Sequence, residues 1–327
     1  MNGQSICQSE VVGMTTKVGK RTKRLTWAKF RRFLPLYLMT LPGVIYFFIN
    51  NYLPMFGLII AFKNINYRKG FFKSDWVGFE NFKYLFATSD AFIITRNTLL
   101  YNIAFIVLGI MTQVLFAILL NEIRKKFFMR LYQSLIILPA LISMVIVAYL
   151  AYAFLSVDSG MLNKTILPAL GLAEVNWYSE PGKWPYILIL VNIWKNLGFG
   201  TIIFLASIVG ISPEFFEAAR LDGANKWQQI KTITLPMIRP VIIMLTILLI
   251  GKIFYSDFGL FYQVPMDSGQ LFNTTNNIDT YVYRALMKMG DIGMSSAANF
   301  YQSLVGFVLV LISNTIVRKF EKESALF

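Results

Sequence analysis

The side chains able to do covalent or metal chemistry in this chain are few. The 327 residues include no histidine and a single cysteine, Cys7. Ser-His triads, His-ligated metals, haem and disulfide frames are therefore excluded. The run Gly13-Met14-Thr15-Thr16-Lys17-Val18-Gly19-Lys20-Arg21 approaches a phosphate-binding loop but fails its requirements. It has five residues between the glycines instead of four, and Arg21 stands where a Ser or Thr hydroxyl would hold Mg²⁺. No metal or nucleotide site of the chain's own is expected.

The polar residues that remain lie inside apolar blocks. Asn192, Lys195, Asn196 and Phe199 recur at helical spacing beside Trp194, and Lys252, Tyr255, Ser256 and Asp257 form a second cluster. Lys195 is about 16 Å along a helix from Trp184, at ~1.5 Å per residue, which is near mid-membrane. Polar groups at such depth face a cavity or another helix. Two readings stand. Amides, charges and aromatic faces together suit a carbohydrate path, with Asn192, Trp194, Lys195, Asn196, Lys252, Tyr255 and Asp257 as lining. Alternatively Asn and Ser join helix to helix, and Lys252 pairs with Asp257 or reaches for headgroups. Gly198, Gly200 and Gly251 are read as sites of close helix contact.

The elements that must position these residues are membrane spans. Hydrophobic residues make up 56% of the chain, in blocks of roughly 20 residues, the length that crosses a bilayer. The expected fold is an all-α integral membrane protein of about six spans: 34–62, 98–120, 131–155, 184–209, 237–260 and 300–317. Pro42 and Pro54 should bend the first. The net charge of +14 reads as topology, not nucleic-acid binding. Lys17, Lys20, Arg21, Lys23, Arg24, Lys29, Arg31 and Arg32 place the N-terminal tail in the cytoplasm. Arg124, Lys125, Lys126 and Arg130, then Arg220, Lys226, Lys231 and Arg239, then Arg318, Lys319 and Lys322 do the same for alternate loops and the C-terminus. Segment 63–83 is the exception, with five bases beside Asp75 and Glu80. Residues 25–33, alternating basic and aromatic, suit either a helix at the inner headgroups or a simple topology signal. The domains are a basic tail 1–33, a membrane domain 34–320 and a tail 321–327.

The third cytoplasmic segment, 211–236, reads as two capped helices around a turn. Ser212 is a candidate N-cap, Pro213 suits the first helical position and Glu214 complements the helix dipole. Gly223 should end the helix in a left-handed conformation and Asn225 cap a second short helix. Pro236 and Pro240 should break the chain as it re-enters the membrane. Ala218 and Ala219 allow close approach of another surface, and Phe215, Phe216 and Trp227 supply apolar area.

The spacing Glu217-Ala218-Ala219, Gly223, Ile233 and Leu235-Pro236 resembles the EAA coupling loop of type I ABC importer permeases at every fixed position. Asp222-Gly223-Ala224 resembles the carbohydrate class. Leu41-Pro42, Tyr52-Leu53-Pro54-Met55, Ala61-Phe62-Lys63 and 76–82 resemble the oligosaccharide and polysaccharide permease subgroup, to which alginate importer permeases belong. So do Asp279–Arg284 and Gln302–Gly306, and the resemblance covers nearly the whole chain. It implies a non-catalytic, multi-pass subunit of the bacterial inner membrane, with the loop docked in a cleft of a separate ATPase and Glu217 meeting a basic group there. It also implies a second homologous permease in a heterodimer, two ATPase subunits carrying ATP and Mg²⁺, and an extracytoplasmic solute-binding protein. The alternatives are an ion-coupled transporter, disfavoured because carboxylates are scarce in the spans, and a channel subunit; the coupling loop argues against both. The basic set Lys195, Lys252, Arg284 and Lys288 leads to the expectation of an acidic oligosaccharide passing beside Lys195.

Overall fold

The computed structural model describes residues 27–320. Cys7, the 13–21 run, the tail bases before Trp27 and the 321–327 tail lie outside the described residues. The described chain is helical apart from one antiparallel ladder pairing Lys63–Asn64 with Asp75–Trp76. Five helical stretches are long and apolar enough to cross a membrane: Phe33–Phe62, Asp90–Asn121, Pro181–Val209, Lys226–Ile250 and Ile292–Thr315. A sixth span is formed only if a bent pair of helices counts as one.

Helix α1 runs unbroken from Trp27 to Phe47, so residues 27–32 continue directly into the first candidate span. Pro42 does not end it. Its α geometry ends instead in a π-helical turn, Phe48–Tyr52, followed by a 3₁₀ stretch, Leu53–Phe62. Pro54 lacks a donor for the ladder. The N–H of Leu53 reaches back to Phe48 O, and the Asn50 and Asn51 amides donate to Tyr46 O and Phe47 O.

Helices α2 (Glu80–Ala87), α3 (Asp90–Asn121), α4 (Lys126–Leu141), α5 (Met144–Leu155) and α6 (Trp184–Val209) follow. The single span expected over 131–155 is broken: α4 and α5 meet at a 98° bend. Ile142 and Ser143 are extended, and the Ser143 hydroxyl accepts from Ile146 N–H to start α5. Hydropathy cannot show this break, because both arms are apolar.

α3 and α6 form the central pair. Val114, Ala117 and Leu120 pack with Phe204, Leu205 and Ile208 toward one end. Tyr101 packs with Trp184 and Leu188 toward the other. Against α4 the approach is backbone to backbone: a Cβ on Gly198 would collide with Ile136 O, so only glycine fits. Small residues allow such contact inside membranes, where close packing must replace hydrophobic drive.

The expected fifth span is shifted. The helix from Lys226 continues through a π-helical turn, Ile230–Thr234, into α9 (Leu235–Ile250), with α7 (Pro213–Leu221) and α8 (Lys226–Gln229) before it. Neither Pro236 nor Pro240 breaks it, contrary to expectation. The π-turn moves the hydrogen-bond ladder back by one residue, Leu235 N–H donating to Ile230 O, so no donor is demanded of Pro236. The helix ends at Gly251, well before the expected Leu260. After the break come α10 (Phe258–Gln263), α11 (Ile278–Met287) and the last span α12 (Ile292–Phe320).

Candidate functional site: a capped knob and a candidate path

The 211–236 loop is built as its sequence dictates, except at Ser212 and at Pro236, which does not break the helix. α7 starts at Pro213, and Ser212 holds the N-cap position without a side-chain capping bond. Its end is a full Schellman closure. Ala224 N–H donates to Ala219 O at 2.8 Å and Gly223 N–H to Arg220 O at 3.1 Å, with Gly223 at φ +80°. Asn225 and Gln228 then form a reciprocal capping box, at 2.9 and 2.7 Å. The buried Gln229 donates to Ala224 O, tying the second helix back to the turn. The knob is therefore fixed by its own backbone bonds.

Glu217, Ala218, Asp222 and Gly223 lie at the surface of the knob, with Ala219 and Ala224 more covered. Leu221 is 90% exposed and Trp227 72%. Leu235 and Pro236 stand at the root, where the knob joins α9. A cleft of about 340 Å³ separates knob from spans, lined by Asn121, Glu122, Glu217, Arg220, Lys226 and Gln229 among others. Lys226 Nζ bonds both carboxylate oxygens of Glu122, at 2.9 and 2.8 Å, latching the knob to the end of α3. Sequence reasoning missed Glu122. Its signal was available, as the lone acid in the basic 122–130 segment.

The residues expected to line a path fall into two separate groups. Among the described residues no hydrogen bond or ion pair joins them. On α6, Trp194 and Asn196 lie at the surface, with Asn192 one turn before Asn196. The Asn196 amide donates to Asn192 O, within its own helix. Lys195 turns to the α4–α5 break, donating to Ile142 O at 2.5 Å and Pro139 O at 3.3 Å. Ile142 O lies past the end of α4, Pro139 O also accepts from Ile142 N–H at 3.2 Å, and a cation at a helix C-terminus is favoured by the dipole. Lys195 thus satisfies a broken helix.

The second group sits on the break after α9. Lys252 and Tyr255 are exposed. Asp257 caps α10 by accepting from Leu260 N–H at 3.1 Å; it does not pair with Lys252, contrary to one of the two readings of the sequence. Asn102 donates to Tyr255 O. Asp279 holds this break, accepting from Ser256 N–H at 2.7 Å and from the Gln302 amide at 3.1 Å, while Gln302 also donates to Phe254 O. Burial pushes the Asp279 carboxyl up from its usual range, against the pull of those hydrogen bonds.

Arg284 and Lys288 are not free basic lining, contrary to expectation. Asp267 bonds both, Arg284 at 2.6 Å. The hydrogen bond to Asp267 pushes the Lys288 ammonium up. Arg284 also lies over the Phe272 ring at 4.1 Å.

Known proteins share this architecture. The family model described as binding-protein-dependent transport system inner membrane component matches residues 105–322. Protein LplB of Bacillus subtilis is 38% identical over 92% of this chain and 94% of its own length. The polygalacturonan/rhamnogalacturonan transport system permease protein YteP, also of Bacillus subtilis, is 37% identical over 88% and 89%. A solved structure of a bacterial ABC transporter involved in import of the acidic polysaccharide alginate superposes with a TM-score of 0.82 at 34% identity, covering 90% of this chain and 99% of that one. A multi-span chain, a rigid exposed knob with the EAA spacing at one end, and a match over two thirds of its length agree: the chain belongs to the family of inner membrane components of binding-protein-dependent transport systems.

Proposed function

We propose that this chain forms half of the translocation pathway of an ATP-driven importer for acidic oligosaccharides. A second homologous permease, two ATPase subunits binding ATP and Mg²⁺, and an extracytoplasmic binding protein complete the machine. The observation that carries the coupling role is the Schellman-closed, capping-boxed knob, exposed at Glu217, Ala218, Leu221 and Trp227. In this reading Glu217, Ala218, Ala219, Asp222, Gly223 and Ala224 present the ATPase-facing surface, and Leu235-Pro236 join it to the span. Helix Lys226–Ile250 is continuous over 25 residues, about 37 Å at ~1.5 Å per residue. A displacement of the knob therefore travels as rigid-body motion to the Gly251 break, beside Lys252, Tyr255 and Asp257.

The substrate class rests on the relatives named for polygalacturonan and for alginate, both uronate polymers. A second solved structure, 33% identical with a TM-score of 0.81, holds a periplasmic protein loaded with an alginate pentasaccharide, which supports the binding-protein partner. Asn192, Trp194 and Asn196 on α6 remain the proposed sugar-facing set, with Lys195 set behind them by its carbonyl bonds. The test is uptake by the complex reconstituted with its binding protein. Uronate oligosaccharides should be carried and should stimulate ATP hydrolysis, neutral ones of equal length should not. Transport of neutral sugars alone would refute the substrate assignment, and failure of the chain to co-purify with an ATPase would refute the coupling role.

A further inference from the structure

Five bases in segment 63–83 contradict the charge asymmetry of the other loops, and the transport reading leaves them unexplained. The segment joins Phe62, the end of one span, to Asp90, the start of α3. The far end of α3, Glu122, is latched to the knob at Lys226, so 63–89 lies at the end of α3 away from the knob. Both flanking helices enter the bilayer there, which confines the segment to the level of the headgroups.

The segment is rigid. The ladder Lys63–Trp76 and Asn64–Asp75 closes it, Val77 N–H donates to Phe62 O, and the Asn81 amide holds Ala61 O and Lys63 O. Phe62, Phe79 and Phe82 stack at its base with Phe300 of α12. Five aromatic rings stand on this platform with little cover: Tyr67 76% exposed, Phe71 53%, Phe72 91%, Trp76 65% and Phe79 70%. Such a cluster, between two candidate spans, fits the boundary of headgroup and acyl chain, where aromatic side chains gather.

The charges sort accordingly. Lys63 is buried, donating to Phe71 O and Phe72 O. Lys69 pairs with Asp75 and Lys83 with Glu80. Arg68 and Lys73 are exposed and have no carboxylate partner among the described residues. We infer that residues 63–79 form an interfacial foot on the outer leaflet, with Tyr67, Phe71, Phe72, Trp76 and Phe79 set into the headgroup–acyl boundary and Arg68 and Lys73 binding the phosphates of anionic phospholipid. Bases that would mis-sign the topology if free are thus held internally or by lipid.

The test uses the whole transporter with Cys7→Ser and a spin label on Phe72→Cys, in vesicles of phosphatidylcholine with or without phosphatidylglycerol. The label should be more accessible to oxygen than to a water-soluble nickel chelate. With phosphatidylglycerol present, Arg68→Gln and Lys73→Gln should each raise chelate access, by up to about fivefold, the factor corresponding to one base's attraction to an anionic surface. In phosphatidylcholine alone they should change little. A label on Tyr67→Cys, 76% exposed on the same face, gives the same reading should Phe72→Cys disturb folding. Chelate access as high as that of the free label in solution would overturn the inference. So would protection appearing only when loaded binding protein is added, which would make this face a protein-docking surface.

Discussion

Gly223 and Lys195 are each fixed by one geometric demand. At Gly223 that demand is φ +80°, with no atom within 4 Å of the place a Cβ would occupy. The cost of a side chain there is backbone strain alone, about 1–2 kcal/mol for an ordinary residue. Gly223→Val should therefore depress transport and binding-protein-stimulated ATP hydrolysis together while the subunit still inserts. Gly223→Asn, whose side chain tolerates the left-handed region, should retain most of both. Equal loss in the two variants would mean that bulk, not backbone, is limiting. Lys195 donates to the carbonyls of Ile142 and Pro139 at the end of α4. Removing a charged donor from such partners costs about 1.5–3 kcal/mol. Lys195→Met should lower the thermal stability of the assembled transporter and reduce uptake of all its substrates in parallel, with Lys195→Arg recovering part of the stability. A selective loss of uronate uptake, with stability unchanged, would instead return Lys195 to the sugar path.

The described elements share one device. Three π-helical turns, Phe48–Tyr52, Leu162–Ile166 and Ile230–Thr234, are each followed by Leu-Pro: Leu53-Pro54, Leu167-Pro168 and Leu235-Pro236. In each, the leucine N–H donates five residues back, to Phe48, Leu162 or Ile230. The wider turn swings the carbonyl in front of the proline ring clear and lets the helix continue, where an α-helical proline would clash. In the third turn the device sets the rotation of the knob relative to α9. Pro236→Ala restores a donor and favours the α ladder, which turns everything before it by roughly 100°, one residue's share of a 3.6-residue turn. Glu122 and Lys226 would then part. A short bis-maleimide cross-link between Glu122→Cys and Lys226→Cys, in a Cys7→Ser background, should form readily with Pro236 and weakly with Pro236→Ala.

For the whole molecule, what the sequence discloses is what is local. The knob was legible because its caps and its glycine act within a few residues. The spans were legible because hydropathy is a sum. The breaks were not. α4 and α5 part at Ile142–Ser143, where a lysine 53 residues later bonds the Ile142 carbonyl, and the Gly251–Asp257 break is held by Asp279 and Gln302. No window of sequence contains both partners. The same limit applied to charge: Arg284 and Lys288 read as free cations, yet Asp267, 17 and 21 residues earlier, binds them both. Leu100, Met111 and Leu119 of α3 are each more than half exposed, as befits a surface whose solvent is lipid. Reporter fusions test the arrangement. Those at Asn225 should report cytoplasm, and those at Lys73 and Asn273 the opposite side; an external signal at Asn225 would leave the knob unable to meet an ATPase.

A π-turn is also a count: it holds one residue more than the α-turn it replaces. Deleting one residue from 230–234 should therefore be absorbed by reversion of that turn to α geometry, most easily in company with Pro236→Ala. The knob and α9 would keep their mutual facing, and Glu122 and Lys226 their pairing. The same deletion made within α9, at 243–247, has no such reserve and must rotate one end of the span against the other. Helix Lys226–Ile250 thus carries a spare residue at its root, and a family built on it can gain or lose length there without re-aiming what lies beyond.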